Sequence, residues 1–156
     1  GITLNAGGGI GIGAAVNTDV SAGGKIYLTT NGVGAAGNET LIEAGPITFG
    51  PAGNNTGAAV DFGTGTLRAV SAGAITQSVG SAITGTALGA RAVNTIDMNQ
   101  PNNDFVTVAA AVSGLNQSVT YKDVNGFTLG TVGASTGFAS TSGITTNNGN
   151  VTLTAG

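Results

Sequence analysis

The chain has 156 residues, of which 7% are charged, 4% are aromatic and 29 are glycine, and its formal net charge is -3. Disordered chains combine low hydrophobicity with high net charge, and collagen has glycine at every third position, so the apolar content of 40% and the irregular glycine spacing exclude both classes. Gly, Thr, Val and Asn are weaker helix formers than Ala or Leu, so this composition predicts an all-β structure with many turns.

The residue types that are missing exclude several kinds of chemistry. The sequence contains no Cys and no His, so disulfides, thiol nucleophiles, the usual transition-metal ligands and a Ser-His-Asp relay are not expected. The four cationic residues, Lys25, Arg68, Arg91 and Lys122, are scattered singly, which argues against nucleic acid as a partner. No apolar run approaches the roughly 18 residues of a transmembrane helix. We therefore expect no catalytic residue, no cofactor, no metal and no membrane insertion.

Alternation of apolar and polar residues predicts five half-buried strands. In chain order they are residues 25–30, 66–70, 105–112, 118–122 and 126–130. Asn-Gly dipeptides at 31–32, 125–126 and 148–149 predict turns, because both residue types tolerate positive φ. The alternation, extended to the two chain ends, also predicts which side chains point inward: Ile2, Leu4, Ile26, Leu28, Val119, Tyr121, Phe127, Leu129, Val151 and Leu153.

Ala-Gly dipeptides suggest a repeat of irregular length. They follow strand-like segments at residues 6–7, 22–23, 44–45, 72–73 and 155–156, and the first four are spaced by 16, 22 and 28 residues. Rungs that share corners but differ in loop length give such a spacing. A β-sandwich needs more large side chains in its core, whereas the abundant Ala and Gly and the absence of Trp favour the stacked rungs of a parallel β-helix.

The two ends of the chain carry nearly the same phrase. Residues 2–7 read ITLNAG and residues 151–156 read VTLTAG. We interpret them as equivalent rungs whose outer edges are unpaired, since neither resembles a polar cap. Such a segment either continues in a longer chain or stacks end to end with other copies, and we prefer covalent continuation.

Three stretches resemble a known family: residues 104–114, 118–132 and 143–156. They are similar to the repeat regions of filamentous-haemagglutinin-like bacterial surface proteins, and the resemblance extends over residues 66–156 and more loosely over 1–65. It implies that residues 1–156 form a single right-handed parallel β-helix, or β-solenoid, of about seven rungs of roughly twenty residues. Such a section is on the order of 35 Å long. It also implies an extracellular or bacterial cell-surface adhesin.

Three motifs were considered as sites. Residues 9–14, GIGIGA, satisfy a dinucleotide-binding pattern, but no crossover helix follows, so we interpret them as a glycine-rich corner. Asp97 and Asp104 flank a polar loop that could gather oxygen ligands or catalytic carboxylates, although a solvated turn is the simpler interpretation. The run from Asp123 to Gly126 resembles part of a calcium loop without its remaining ligands, which favours a corner.

Asparagine sequons and aromatic residues were the other candidates. The sequons lie at Asn38, Asn54, Asn116 and Asn150, and several are expected by chance in so Asn- and Thr-rich a chain. Aromatic side chains can stack on sugars, but most are expected to fill the core or corners: Tyr27, Phe49, Phe62, Phe105, Tyr121, Phe127 and Phe138.

Three functions remain open from the sequence. The first is a structural stalk or filament segment of a bacterial adhesin, with neighbouring copies or repeats, and host-cell or matrix glycans, as partners. The second is a self-associating extracellular filament or matrix subunit that stacks head to tail. The third is a polysaccharide-active β-helix enzyme, which the few and dispersed charges disfavour because an enzyme needs a groove with converging polar groups.

Overall fold

The computed structural model describes residues 2–6, 26–30, 39–49 and 59–156. Over these ranges the protein is all-β, and they contain no helix, hence none that could span a membrane. Sixteen strands are formed by the described residues. They are β1 (Ile2–Ala6), β2 (Ile26–Thr30), β3 (Glu39–Glu43), β4 (Ile47–Phe49), β5 (Ala59–Asp61), β6 (Thr66–Ser71), β7 (Ile75–Gln77), β8 (Ala82–Ala92), β9 (Ile96–Met98), β10 (Asp104–Leu115), β11 (Val119–Asp123), β12 (Thr128–Leu129), β13 (Thr131–Val132), β14 (Thr141–Ser142), β15 (Ile144–Asn147) and β16 (Val151–Ala155).

Most of these strands pair in parallel. Fourteen of them form one hydrogen-bonded sheet system, and β13 and β14 form a separate antiparallel pair. Within the large system one antiparallel contact is present between described strands, where Thr30 of β2 faces Ala59 of β5. The all-β class and the parallel pairing predicted from the sequence are therefore confirmed.

Seven strands align residue for residue in what we call the first stack: β1, β2, β4, β7, β9, β11 and β16. Each pairs with the next in parallel, and the aligned positions are Ile2, Ile26, Ile47, Ile75, Ile96, Val119 and Val151. The chain between aligned positions varies from 21 residues (Ile26 to Ile47) to 32 residues (Val119 to Val151). The first and last strands are the two near-copy phrases, so their chemical likeness coincides with an equivalent position in the stack.

A second stack consists of β3, β6, β8 and β10, with β12 and β15 following on β10. One of its aligned rows runs through Leu67, Leu88, Val108 and Leu129. Another runs through Leu41, Ala69, Ala90, Ala110 and Ile144. Apolar side chains of the same column thus lie on one another in successive turns of the chain, as period-two strands in parallel register require.

The apolar core lies between the two stacks. In β6, Leu67, Ala69 and Ser71 are buried while the alternating residues are half-buried, which is the predicted alternation. One continuous cluster joins both stacks, with Leu41, Ile47, Phe49, Phe62, Leu67, Ile75, Ile83, Leu88, Ile96, Met98, Phe105, Val108, Val112, Val119 and Tyr121 among its buried members. Several glycines admit large neighbours: a Cβ on Gly85 would lie 2.8 Å from the Phe105 ring.

Six of the ten residues predicted to point inward have described side chains. Val119 and Tyr121 are buried, and Phe127 and Leu153 are partly buried against the core. The prediction of burial is wrong for Leu129 and Val151, which are 47% and 45% exposed. The side chains of Ile2, Leu4, Ile26 and Leu28 lie outside the described residues.

The Ala-Gly dipeptides do not mark one repeated corner. Residues 44–45 and 72–73 are equivalent, because they directly follow Glu43 and Ser71, which are register partners in the second stack. Residues 155–156 instead follow the end of the first stack, where Ala155 pairs with Asp123. The single-repeat interpretation was wrong because a small residue followed by glycine suits any tight corner.

An antiparallel hairpin, residues 131–142, covers the second stack on the face opposite the core. Its Val132 and Phe138 are buried against Ala109. A Cβ on Gly89 would lie only 2.6 Å from the Phe138 ring, so glycine is required where the hairpin packs closely. Arg68 Nε donates to the Gly133 carbonyl at 2.9 Å, which ties the hairpin to β6.

Candidate functional site

Asp97 and Asp104, the acidic residues that flank the polar loop, do not converge. Asp97 is exposed on β9, in register between Thr76 and Thr120. Asp104 begins β10 and accepts a long hydrogen bond, 3.5 Å, from Asn125 Nδ2. No group of three or more His, Cys, Asp or Glu side chains suited to a metal occurs in the described parts of the chain.

The polar loop instead turns one amide into the core. Asn103 is 0% exposed, and its Oδ1 accepts from Gln77 Nε2 at 2.5 Å and from Ile83 N at 3.0 Å. Its Nδ2 donates to Gln77 Oε1 at 2.9 Å, to the Met98 carbonyl at 3.0 Å and to the Lys122 carbonyl at 3.2 Å. Both ends of the amide are thus satisfied, and Asn103 joins successive turns of the chain.

A second buried polar group lies at the end of β11. Asp123 is 0% exposed, and its Oδ2 accepts from the Tyr121 hydroxyl at 2.6 Å and from Phe105 N at 3.1 Å. Tyr121 also packs edge-on against Phe127, with ring centroids 4.9 Å apart. Burial, the hydrogen bond to Asp123 and the negative charges of Asp123 and Asp104 raise the pKa of Tyr121 far above its usual value. Tyr121 is therefore a neutral donor.

The run from Asp123 to Gly126 is a corner, as the sequence favoured. The other carboxylate oxygen, Oδ1, accepts from Asn125 N at 3.2 Å and from Gly126 N at 2.9 Å. Gly126 has a φ of 122°, a backbone conformation that side chains disfavour. The carboxylate is thus used to cap the turn and to hold Tyr121.

The remaining sequence candidates offer no clustered chemistry. Residues 9–14, Asn38 and Asn54 lie outside the described residues. Asn116 and Asn150 are exposed, and Asn116 Oδ1 accepts from Asn148 Nδ2 at 2.7 Å, linking two corners. Five aromatic residues are in the core or the hairpin, as predicted: Phe49, Phe62, Phe105, Tyr121 and Phe138.

The feature that sequence reasoning missed is an open apolar surface at one end of the stacks. We call it the end surface and define it by Phe127, Leu129, Ile144, Val151 and Leu153. Each of the last four lies directly on a buried residue: on Val108, Ala110, Val119 and Tyr121, respectively. Leu129 and Val151 have the inward direction that alternation predicts, but they remain exposed because no described strand follows them.

Backbone hydrogen bonds show the same discontinuity. At each corner of the first stack an N–H donates to the turn that follows: Ile47 N to the Ala74 carbonyl, Ile75 N to Thr95, Ile96 N to Ser118 and Val119 N to Asn150. These distances are 2.9 to 3.0 Å. Val151 is the next residue of this series, and its donor would require a further turn. An unpaired strand edge of this kind favours addition of another strand.

The near-copy phrases were the sequence signal for this surface. They predicted equivalent ends, but exposure of the end residues depends on which strands follow, and alternation within one strand contains no such information.

Comparison with known proteins returns no match: no protein-family model, no curated protein and no solved structure is similar to this chain.

A matched pair of substitutions tests the end surface. Val119→Thr places a hydroxyl in the core, where an unpaired polar group costs about 1–3 kcal/mol of folding free energy. Val151→Thr, at the aligned position, should change the free energy of unfolding by less than about 0.5 kcal/mol, because its side chain is solvated. Urea unfolding of both variants measures the difference, and equal costs would show that Val151 is buried in solution.

Tyr121 gives a pH prediction. Because its pKa is higher in the folded than in the unfolded protein, its contribution to stability is complete below the unfolded value of about 10 and is lost as the pH rises above it. Tyr121→Phe should therefore be less stable than the native chain at neutral pH by about 1.5–3 kcal/mol, and the gap should shrink above pH 10. Urea unfolding across this range measures the gap; a gap that is constant with pH would contradict the assignment.

Proposed function

We propose that the chain is a segment of a right-handed β-solenoid that serves as a structural stalk in a bacterial cell-surface or secreted adhesin. The observation that carries the proposal is the first stack, in which seven strands separated by long stretches of sequence align in parallel register. A chain that winds about seven times around one core produces this pattern. The number of aligned strands also agrees with the number of rungs that the filamentous-haemagglutinin resemblance implies.

Stiffness follows from the way in which the turns are joined. Each inner strand of the stack pairs with a neighbour on both sides, and the corners add hydrogen bonds such as Ile75 N to the Thr95 carbonyl. Bending the stack would break several of these bonds at once. Seven strands about 4.8 Å apart span roughly 29 Å, so the segment contributes length to a rod. A stalk needs this property and needs no catalytic group.

The end surface supports continuation of the rod. A further turn with the pattern of residues 2–7 would place its apolar residues over Val151 and Leu153, as β16 places these two over Val119 and Tyr121. The occupant we propose is a following segment of the same kind, joined covalently. Its strand would also supply the acceptor that the corner hydrogen-bond series requires at Val151.

A head-to-tail filament of separate copies is the second candidate, because the same surface would serve. In that case the contact is heterologous and does not close on itself, so assembly grows with protein concentration. An isolated copy that stays monomeric at high concentration favours the covalent stalk.

A tandem duplication tests the stalk directly. Joining Gly156 of one copy to Gly1 of the next without a linker should give one continuous rod. Small-angle X-ray scattering should show the cross-section of the single copy and a maximum dimension larger by roughly 30–35 Å. The tandem protein should also unfold at higher urea concentration than the single copy, because the end surface of its first copy is covered.

The matched control is the same tandem with Leu153→Lys in the first copy only. The charge should prevent docking at the junction while leaving each copy folded, since Leu153 is only partly buried there. This control should behave as two rods joined by a hinge. Hinged scattering from the unmodified tandem would contradict the proposal.

A further inference from the structure

A groove of about 520 Å³ lies between the hairpin and the end of the second stack. Its floor includes Val70, Arg91, Ala111 and Thr145, which occupy neighbouring strands in register. The segment 140–142 of the hairpin forms one wall. This volume falls within the range of small-molecule sites, roughly 300–1,000 Å³. The groove opens on the side of the stacks, away from the end surface.

Arg91 is the charged residue of the groove, and its guanidinium is held in position. Its Nη1 donates to Thr141 Oγ1 at 3.0 Å, and Thr141 in turn donates to the Ala139 carbonyl at 3.0 Å. Thr141 is 4% exposed, so the hydroxyl that positions Arg91 belongs to the packed base of the hairpin. Within the described part of the chain Arg91 forms no ion pair, which leaves most of its five N–H donors for a ligand.

Hydroxyl groups surround this guanidinium. Ser113, Ser140 and Thr145 line the groove. Ser113 and Ser140 are engaged only by long contacts of 3.5 Å to the carbonyls of Ala92 and Val132. Contacts of this length are at the limit of hydrogen bonding, so both hydroxyls are available to a ligand.

We propose that this groove binds a sugar acid, a hexuronate for example, whose carboxylate pairs with Arg91. A guanidinium presents two parallel donors that match the two oxygens of a carboxylate. The hydroxyls of Ser113, Ser140 and Thr145 then bond the hydroxyls of the ring, and Val70 and Val112 contact its apolar face. The inference does not depend on the stalk role, because the groove is built within one copy.

The other arginine on this face supplies a matched control. Arg68 lies on β6 beside the same hairpin and donates to the Gly133 carbonyl, but it does not line the groove. Replacing Arg68 or Arg91 by Gln removes the same charge from the same face. A ligand that recognises the groove therefore distinguishes the two variants, whereas general attraction of an anion to a positive charge does not.

The experiment is a titration of the full chain with glucuronate, glucose and acetate, followed by the NMR signals of the Arg91 side chain and of the amides of residues 139–145. Glucuronate should give saturable shifts, and glucose and acetate should bind about ten-fold more weakly or worse, since each lacks one half of the recognised chemistry. Arg91→Gln should lose the shifts and Arg68→Gln should keep them. Equal binding of glucose or acetate, equal loss in both variants, or no saturable shift would overturn the proposal.

Thr141→Val provides a second variant if Arg91→Gln does not fold. The substitution conserves shape and removes the hydroxyl that positions the guanidinium, so glucuronate affinity should fall several-fold while acetate binding is little changed. Affinity unchanged in a folded Thr141→Val protein would contradict the positioning role that the proposal gives to Thr141.

Discussion

Backbone hydrogen bonds between parallel strands in fixed register are the interaction on which the rest of the molecule depends. In the first stack Ile75 lies between Ile47 and Ile96, and its N–H donates to the turn of Ile96 through the Thr95 carbonyl. Because register brings equivalent positions together, an inward residue must be compatible with the inward residues above and below it. Apolar columns result, and the last strand exposes Val151 where the column ends.

Buried polar groups act where the loops vary in length. The chain between aligned positions of the first stack ranges from 21 to 32 residues, so loops cannot all pack alike. Asn103 and Asp123 solve this locally: each is fully buried, and each satisfies backbone donors or acceptors from neighbouring turns. Their side chains supply hydrogen bonds that regular strand pairing does not reach. The polar residues of the loops are therefore part of the fold.

Alternation and turn chemistry were sufficient to predict β6, β10, β11 and the corner at Gly126, since both are local properties. β8 was not predicted, because Gly85 and Gly89 interrupt its alternation; they are needed where Phe105 and Phe138 pack. The inward turn of Asn103 and the setting of Arg91 depend on residues distant in sequence: Gln77 and Lys122 for the first and Thr141 for the second. No local pattern contains that information.

The register of the last two strands of the first stack is the most direct test of this account. The chain has no native cysteine, so a pair introduced by Thr120→Cys and Thr152→Cys can oxidise only with itself. Neighbouring strands lie about 4.8 Å apart, within disulfide range, whereas a cysteine at Thr154, two residues further along β16, is roughly 8 Å from residue 120. Mass spectrometry should find a disulfide in the first pair and free thiols in the second. Preferred oxidation of the second pair, or equal oxidation of both, would contradict the stack.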